Sequence, residues 1–173
     1  MSVASFGSRV ARALALSVAL LLGLAAPALA GCTDAAAPGV NWRRCLLDER
    51  PLSRIDLTGA QLREVSLTRA VLDEAIFTNA EAYGARFSNA SLKGAKLDSA
   101  RLGNSDFTEA DLTGADLSKS DLRNARFVGA RLRGATLTGA DLRGTVFRGA
   151  DLSGATWIDG AKICAEGSVG LCE

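Results

Sequence analysis

The sequence predicts an all-β fold, a single β-helix built of stacked four-sided coils, and three observations predict it. A bulky apolar residue returns at every fifth position from Trp42 to Trp157, through 24 slots of which only Ala82 breaks the rule. A small residue stands two places before it, as at Ala60, Ala110 and Ala150, with Ser105, Ser120 and Thr145 as variants. Phe87, Phe107, Phe127 and Phe147 follow one another at intervals of 20 residues.

Residues 1–30 read as an export segment. Arg9 and Arg12 form a basic start, Ala13 to Leu24 is apolar apart from Ser17 and Gly23, and Ala28-Leu29-Ala30 fits the small-x-small rule for signal cleavage at Ala28 and Ala30. A membrane span needs about 20 apolar residues, and this run is shorter, with Pro27 close behind it. Residues 31–41 then form an N-terminal cap segment, 42–158 the β-helix, and 159–173 a C-terminal cap.

A period of five excludes simpler structures. In an α-helix five residues advance about 500°, so successive large residues would spiral around the surface. In a flat strand five is odd, and they would alternate between faces. The pattern works where the chain bends after each short extended piece, so that every side again points its large and small residues inward. Glycine two places after the large residue, as at Gly59, Gly94 and Gly134, accommodates the positive φ that several turns require. The interval of 20 stacks the phenylalanines in one column when four such sides make a coil. The charges keep the same register, since Arg86, Asp106 and Arg126 alternate in sign, as do Asp111, Arg131 and Asp151. Twenty-four sides make about six coils, a rod roughly 25 to 30 Å long at the usual spacing between strands.

Units such as ADLTG (110–114), ADLSK (115–119), ARLRG (130–134), ATLTG (135–139) and ADLSG (150–154) resemble the pentapeptide-repeat family. The resemblance covers about residues 42–158. It implies a right-handed quadrilateral β-helix, the pentapeptide-repeat solenoid, and says little about function, because one fold serves unrelated tasks.

Composition removes several classes of function. With 20 Lys and Arg against 19 Asp and Glu, the net charge of +1 offers no overall field for nucleic acid or membrane. Mimicry of duplex DNA, known in this family, would need a strongly acidic surface, whereas the chain from Cys32 onward has 18 basic and 19 acidic residues. There is no His, which removes the usual general base and the commonest zinc ligand. No enzyme and no cofactor is expected, nor a nucleic-acid partner.

The four cysteines lie outside the regular repeat or at its edge. In an exported chain they read as one disulfide at each end, Cys32 with Cys45 and Cys164 with Cys172, which closes two short local loops. No metal site is expected, because the pairs stand more than about 20 Å apart along the rod. Cys32 has a competing use, since Leu29-Ala-Gly-Cys32 resembles a lipoprotein signal in which Cys32 is lipidated and the chain tethered to a membrane. That would leave Cys45 without a partner, and parity favours the disulfide.

Asp106, Asp111, Asp116 and Asp121 would girdle one coil on four different faces, too separated to converge on a substrate. Arg126, Arg131 and Arg133 form a candidate anion patch within a basic stretch that also holds Arg123, Arg143 and Arg148. At Ala82 a core slot is vacated; a bulge or loop that relocates Tyr83 to fill the space is expected, and a small surface site with Tyr83 as an exposed aromatic is the other reading. The chain thus reads as a periplasmic or extracellular scaffold that binds a protein or envelope partner, with an anchored lipoprotein as the alternative. Neither the partner nor the oligomeric state is set by these residues.

Overall fold

Each five-residue side of the chain pairs with the side 20 residues further on. The computed structural model describes residues 31–173. The export segment and its cleavage residues Ala28 and Ala30 lie outside the described residues. Parallel bridges form four columns, and each column defines one side of the coil. The first runs Asn41, Gln61, Glu81, Arg101, Asp121, Asp141; the second Leu46, Ser66, Arg86, Asp106, Arg126, Val146. The third runs Pro51, Val71, Ser91, Asp111, Arg131, Asp151; the fourth Asp56, Ile76, Lys96, Asp116, Thr136, Thr156.

The ladder explains why a five-residue period suffices. On the first side Glu81 N donates to Ala60 O and Ala82 N to Arg101 O, so each extended piece is bonded to the coils on both sides of it. The corner follows at once, as Ala85 N returns to Ala82 O across Tyr83 and Gly84. Only the second of the two corner residues has a positive φ, the pattern of a type II turn. Glycine is the least strained residue there, yet Arg44, Glu64, Lys119 and Asn124 also take it, at φ between 57° and 58°. Those side chains project into solvent, and the inter-coil ladder holds them against an intrinsic cost of about 1–2 kcal/mol each.

The interior is filled in two sizes. Large residues point inward at the middle of each side and small ones just after each corner, so Leu57, Leu92, Leu132, Ala60, Ala95 and Ala130 are fully buried. Four phenylalanines occupy the second side: Phe87 on Phe107 and Phe107 on Phe127 have centroids 4.8 Å apart, and Phe127 on Phe147 5.2 Å, while Phe77 on the fourth side meets Phe87 edge-on at 5.9 Å. Polar variants of the small slot are satisfied, with Ser120 Oγ donating to Leu117 O at 2.6 Å and Thr145 Oγ1 to Leu122 O at 2.8 Å.

The ends are built differently. At the N-terminus the sulfurs of Cys32 and Cys45 are 2.07 Å apart, and Trp42 Nε1 donates to Asp34 O at 3.2 Å. Pro51, which has no N–H to leave unpaired, sits at the outer edge of the third column. At the C-terminus the chain turns back, pairing Val169 with Asp151 and Ile163 with Thr156 in antiparallel sense. The Cys164 and Cys172 sulfurs are 2.05 Å apart within this return. Among the described residues no helix is long and apolar enough to cross a membrane.

Candidate functional site

Among the described residues, the one break in the core repeat is also the one place where a large aromatic stands outside. The expected bulge at Ala82 does not form. Glu81 bridges both Gln61 and Arg101, and Ala82 N still reaches Arg101 O at 2.9 Å, so the register passes through unbroken. Three inter-coil bonds donated by this side, from Glu81 N, Ala82 N and Gly84 N, leave no slack for an extra residue. Ala82 stays inside, fully buried, with Ser105 Oγ donating to its carbonyl at 2.8 Å. Tyr83 remains on the outer corner and is 46% exposed.

Tyr83 is held from three directions. Its ring carbons lie 3.3 and 3.4 Å from where a Cβ on Gly103 would stand, so the ring fills the place of the missing side chain one coil on. Gly103 has no positive φ, and its requirement for glycine is therefore room for the ring. Asn104 Nδ2 donates to Tyr83 Oη. From the coil before, the guanidinium carbon of Arg63 lies 5.7 Å from the ring centroid, within cation–π range.

Around this ring runs a groove. About 370 Å³ of it is lined by Arg63, Glu81, Tyr83, Arg101, Asp121 and Arg123, and a neighbouring 320 Å³ by Arg43, Arg44, Arg63 and Glu64. Arg63 belongs to both. Arg123 is drawn to Asp121 at 2.7 Å and lies 3.8 Å from Asp141, while Arg101 is 3.7 Å from Glu81. Arg63 has no carboxylate within ion-pairing distance among the described residues, and its charge faces the ring and the groove. No group of His, Cys, Asp and Glu among the described residues is placed to hold a metal ion.

The model of the family described as pentapeptide repeats matches residues 52–89, 85–124 and 125–156, with eight copies. The chain belongs to the pentapeptide-repeat family. Solved structures similar to it include a pentapeptide repeat protein from the cyanobacterium Cyanothece 51142, 27% identical, covering 61% of this chain and 82% of that one, with a TM-score of 0.48. HetL from Nostoc sp. strain PCC 7120, involved in heterocyst differentiation regulation, is 29% identical over 70% of this chain and 67% of its own, with a TM-score of 0.35. A pentapeptide repeat protein from the Arabidopsis thaliana thylakoid lumen is 27% identical over 70% of this chain and 82% of its own, with a TM-score of 0.29. No curated protein matches the chain.

Elsewhere on this pentapeptide-repeat protein the exposed charges are distributed. Arg126 stands on the second side, whereas Arg131 and Arg133 flank Leu132 on the third. Arg133 is bonded to Asp151 at 3.1 Å and Glu166 at 2.8 Å, and Arg131 is 3.7 Å from Asp111. Asp106, Asp111, Asp116 and Asp121 fall one on each side. They act locally: Asp106 accepts from Thr108 N at 3.0 Å, Asp111 from Thr113 N at 3.1 Å, Asp116 from Ser118 N at 2.9 Å and Asp121 from Arg123 N at 3.1 Å, each tying down the next corner.

These corner bonds set a pH dependence. Arg143, hydrogen-bonded to Asp141, holds its carboxyl down to about 2, and Arg123 lowers Asp121 in the same way. Ser153 lowers Asp151 and Thr58 lowers Asp56 through bonds to the carboxylate. For Asp106 and Asp111 burial pushes upward, and the bonds from Thr108 and Thr113 outweigh it. Each group binds its proton less readily folded than unfolded, so its contribution is present above the ordinary carboxyl value of 3.8 and is lost as pH falls through the folded value. The melting temperature is expected to be nearly flat from about pH 7 to about 5 and to fall between about pH 4 and 2. Acid titration followed by circular dichroism checks this, and stabilisation on acidification would contradict it.

Proposed function

We propose that the protein is a non-catalytic, exported binding scaffold, a rod of about six right-handed four-sided coils between an N-terminal cap (31–41) and a C-terminal cap (159–173). The observation that carries this reading is the unbroken register. It sets outward side chains in straight, rigid columns, and only the corner of Tyr83 departs from the repeat by placing an exposed aromatic among charges. Rigid presentation of side chains suits recognition, and repeat stacks use extended surfaces for that purpose. The absence of His from the sequence and the outward scatter of the carboxylates favour binding over catalysis.

Two features support export. Residues 1–30 have the order of a signal segment, and two cysteine pairs at bonding distance fit an oxidising compartment, periplasmic or extracellular. The Leu29-Ala-Gly-Cys32 motif favours a second reading, an envelope lipoprotein anchored through Cys32. Mass spectrometry of the mature N-terminus separates the two. A free Gly31 amine with Cys32 in disulfide linkage is expected, and a diacylglyceryl adduct on Cys32 would establish the anchored form instead. An intact residue 1 on protein recovered from cells would overturn export.

A further inference from the structure

The groove around Tyr83 has a length, a charge and a pattern of free groups that together select a ligand class. Arg43, Arg63, Tyr83, Gly103, Arg123 and Arg143 occupy the same corner position in successive coils. From Arg43 to Arg123 the two grooves that share Arg63 extend over four coil steps, about 19 Å at the usual spacing between strands. Their lining carries Arg43, Arg44, Arg63, Arg101 and Arg123 against Glu64, Glu81 and Asp121, so this strip is basic although the chain is nearly neutral. An elongated anionic ligand fits such a strip.

The main chain and the ring narrow the choice. An extended peptide docks on a sheet chiefly through free backbone groups, and along this side those groups are spent between coils: Leu62 N on Glu81 O, Glu81 N on Ala60 O, Arg101 N on Ala80 O, Leu102 N on Asp121 O. A nucleic acid would stack bases on an open aromatic face, but the Tyr83 ring lies against Gly103, is tied through its hydroxyl to Asn104 and has the Arg63 guanidinium 5.7 Å from its centroid. What the groove does offer is side chains alone. The guanidinium groups of Arg63 and Arg101 suit planar carboxylates, and Glu81 and the amide oxygen of Asn104 suit hydroxyls, whereas Asp121 is taken up by Arg123.

We infer that this groove binds a linear polysaccharide bearing carboxylate groups. The inference rests on the chain being an exported binding scaffold and names its partner. Tyr83 is the only Tyr in the sequence, so selective tyrosine labelling gives one ring signal that reports on the groove. With the mature, disulfide-bonded protein, polygalacturonate is expected to shift that signal, with affinity that weakens as salt is raised. The double variant Arg63→Gln, Arg101→Gln is expected to bind about tenfold more weakly, whereas Arg148→Gln, on another side of the rod, keeps wild-type affinity.

Absence of a shift would overturn the assignment. So would equal loss in Arg148→Gln, which would reduce binding to unspecific attraction. Tighter binding of poly-glutamate or oligothymidylate would replace the polysaccharide by a peptide or a nucleic acid, and equal binding of neutral dextran would remove the role of the carboxylates. Export is judged separately by the mature N-terminus, so either conclusion can fail without the other.

Discussion

Replacing Phe107 by Ala is expected to destabilise the protein by about 3–5 kcal/mol, among the largest costs of any single substitution in the rod. Phe107 is fully buried, and its ring stacks on Phe87 and on Phe127 at 4.8 Å from each, with interplanar angles of 3° and 2°. Truncation therefore removes two aromatic contacts, each worth about 0.5–1.5 kcal/mol beyond area burial, together with the transfer term of the ring. The space left cannot close, because the coils on either side are held at fixed spacing by bonds such as Phe87 N to Asp106 O and Phe107 N to Arg126 O, both at 2.7 Å. Phe107→Leu supplies the control. Leucine fills the inward slot on most sides of the rod; it loses the two ring stacks, about 1–3 kcal/mol, but keeps most of the apolar volume, and should cost less than alanine. Urea denaturation of the two variants measures the difference. If Phe107→Ala lost no more than Phe107→Leu, the column would not be the rigid core described.

The same period of 20 that makes this column legible in the sequence also contains the Tyr83 corner. Stepping from residue 83 by 20 in each direction reaches Arg63, Gly103 and Arg123, the residues the structure gathers there. They escape a reading by composition because Arg63 and Arg123 are single charges in a chain with many, and Gly103 looks like a displaced corner glycine. Its meaning appears only once the ring is seen lying on it. Ala82 misleads for a related reason: a vacancy in a core slot suggests a bulge when judged alone, but the bonds of neighbouring coils forbid one. The left-handed corners at Arg44, Glu64 and Lys119 carry no sequence signal, since a solvated charged residue fits many backbones and only the ladder forces this one. The antiparallel return at Ile163 and Val169 follows no period, and there only the spacing of Cys164 and Cys172 was informative.

Loss of the Cys32–Cys45 link is expected to cost about 3 kcal/mol, the chain-entropy value for closing a loop of its length, and loss of Cys164–Cys172 about 2.5 kcal/mol. The two should act at opposite ends, because in a stacked repeat each coil is stabilised by its neighbours and an unclamped end frays first. Each end carries its own reporter. Trp42 is 3% exposed beneath the N-terminal segment, its indole N–H bonded to Asp34 O, while the Trp157 ring packs on Phe147 and its backbone N–H donates to Lys162 O. The two indoles are the only Trp residues in the chain, and Trp→Phe at one isolates the other. Cys45 fills an inward slot that alanine fills on most sides of the rod and is fully buried, so Cys32→Ser with Cys45→Ala opens the link without burying a hydroxyl. That variant is expected to red-shift Trp42 emission and lower the denaturation midpoint while Trp157 is unchanged. Opening Cys164–Cys172 should do the reverse, freeing Trp157 and releasing amide protection at Leu152 and Gly154, whose N–H groups donate to Ser168 O and Cys164 O of the returning chain. If both variants shifted both indoles equally, the rod would unfold as one cooperative block, and the links would clamp the whole stack instead of its ends.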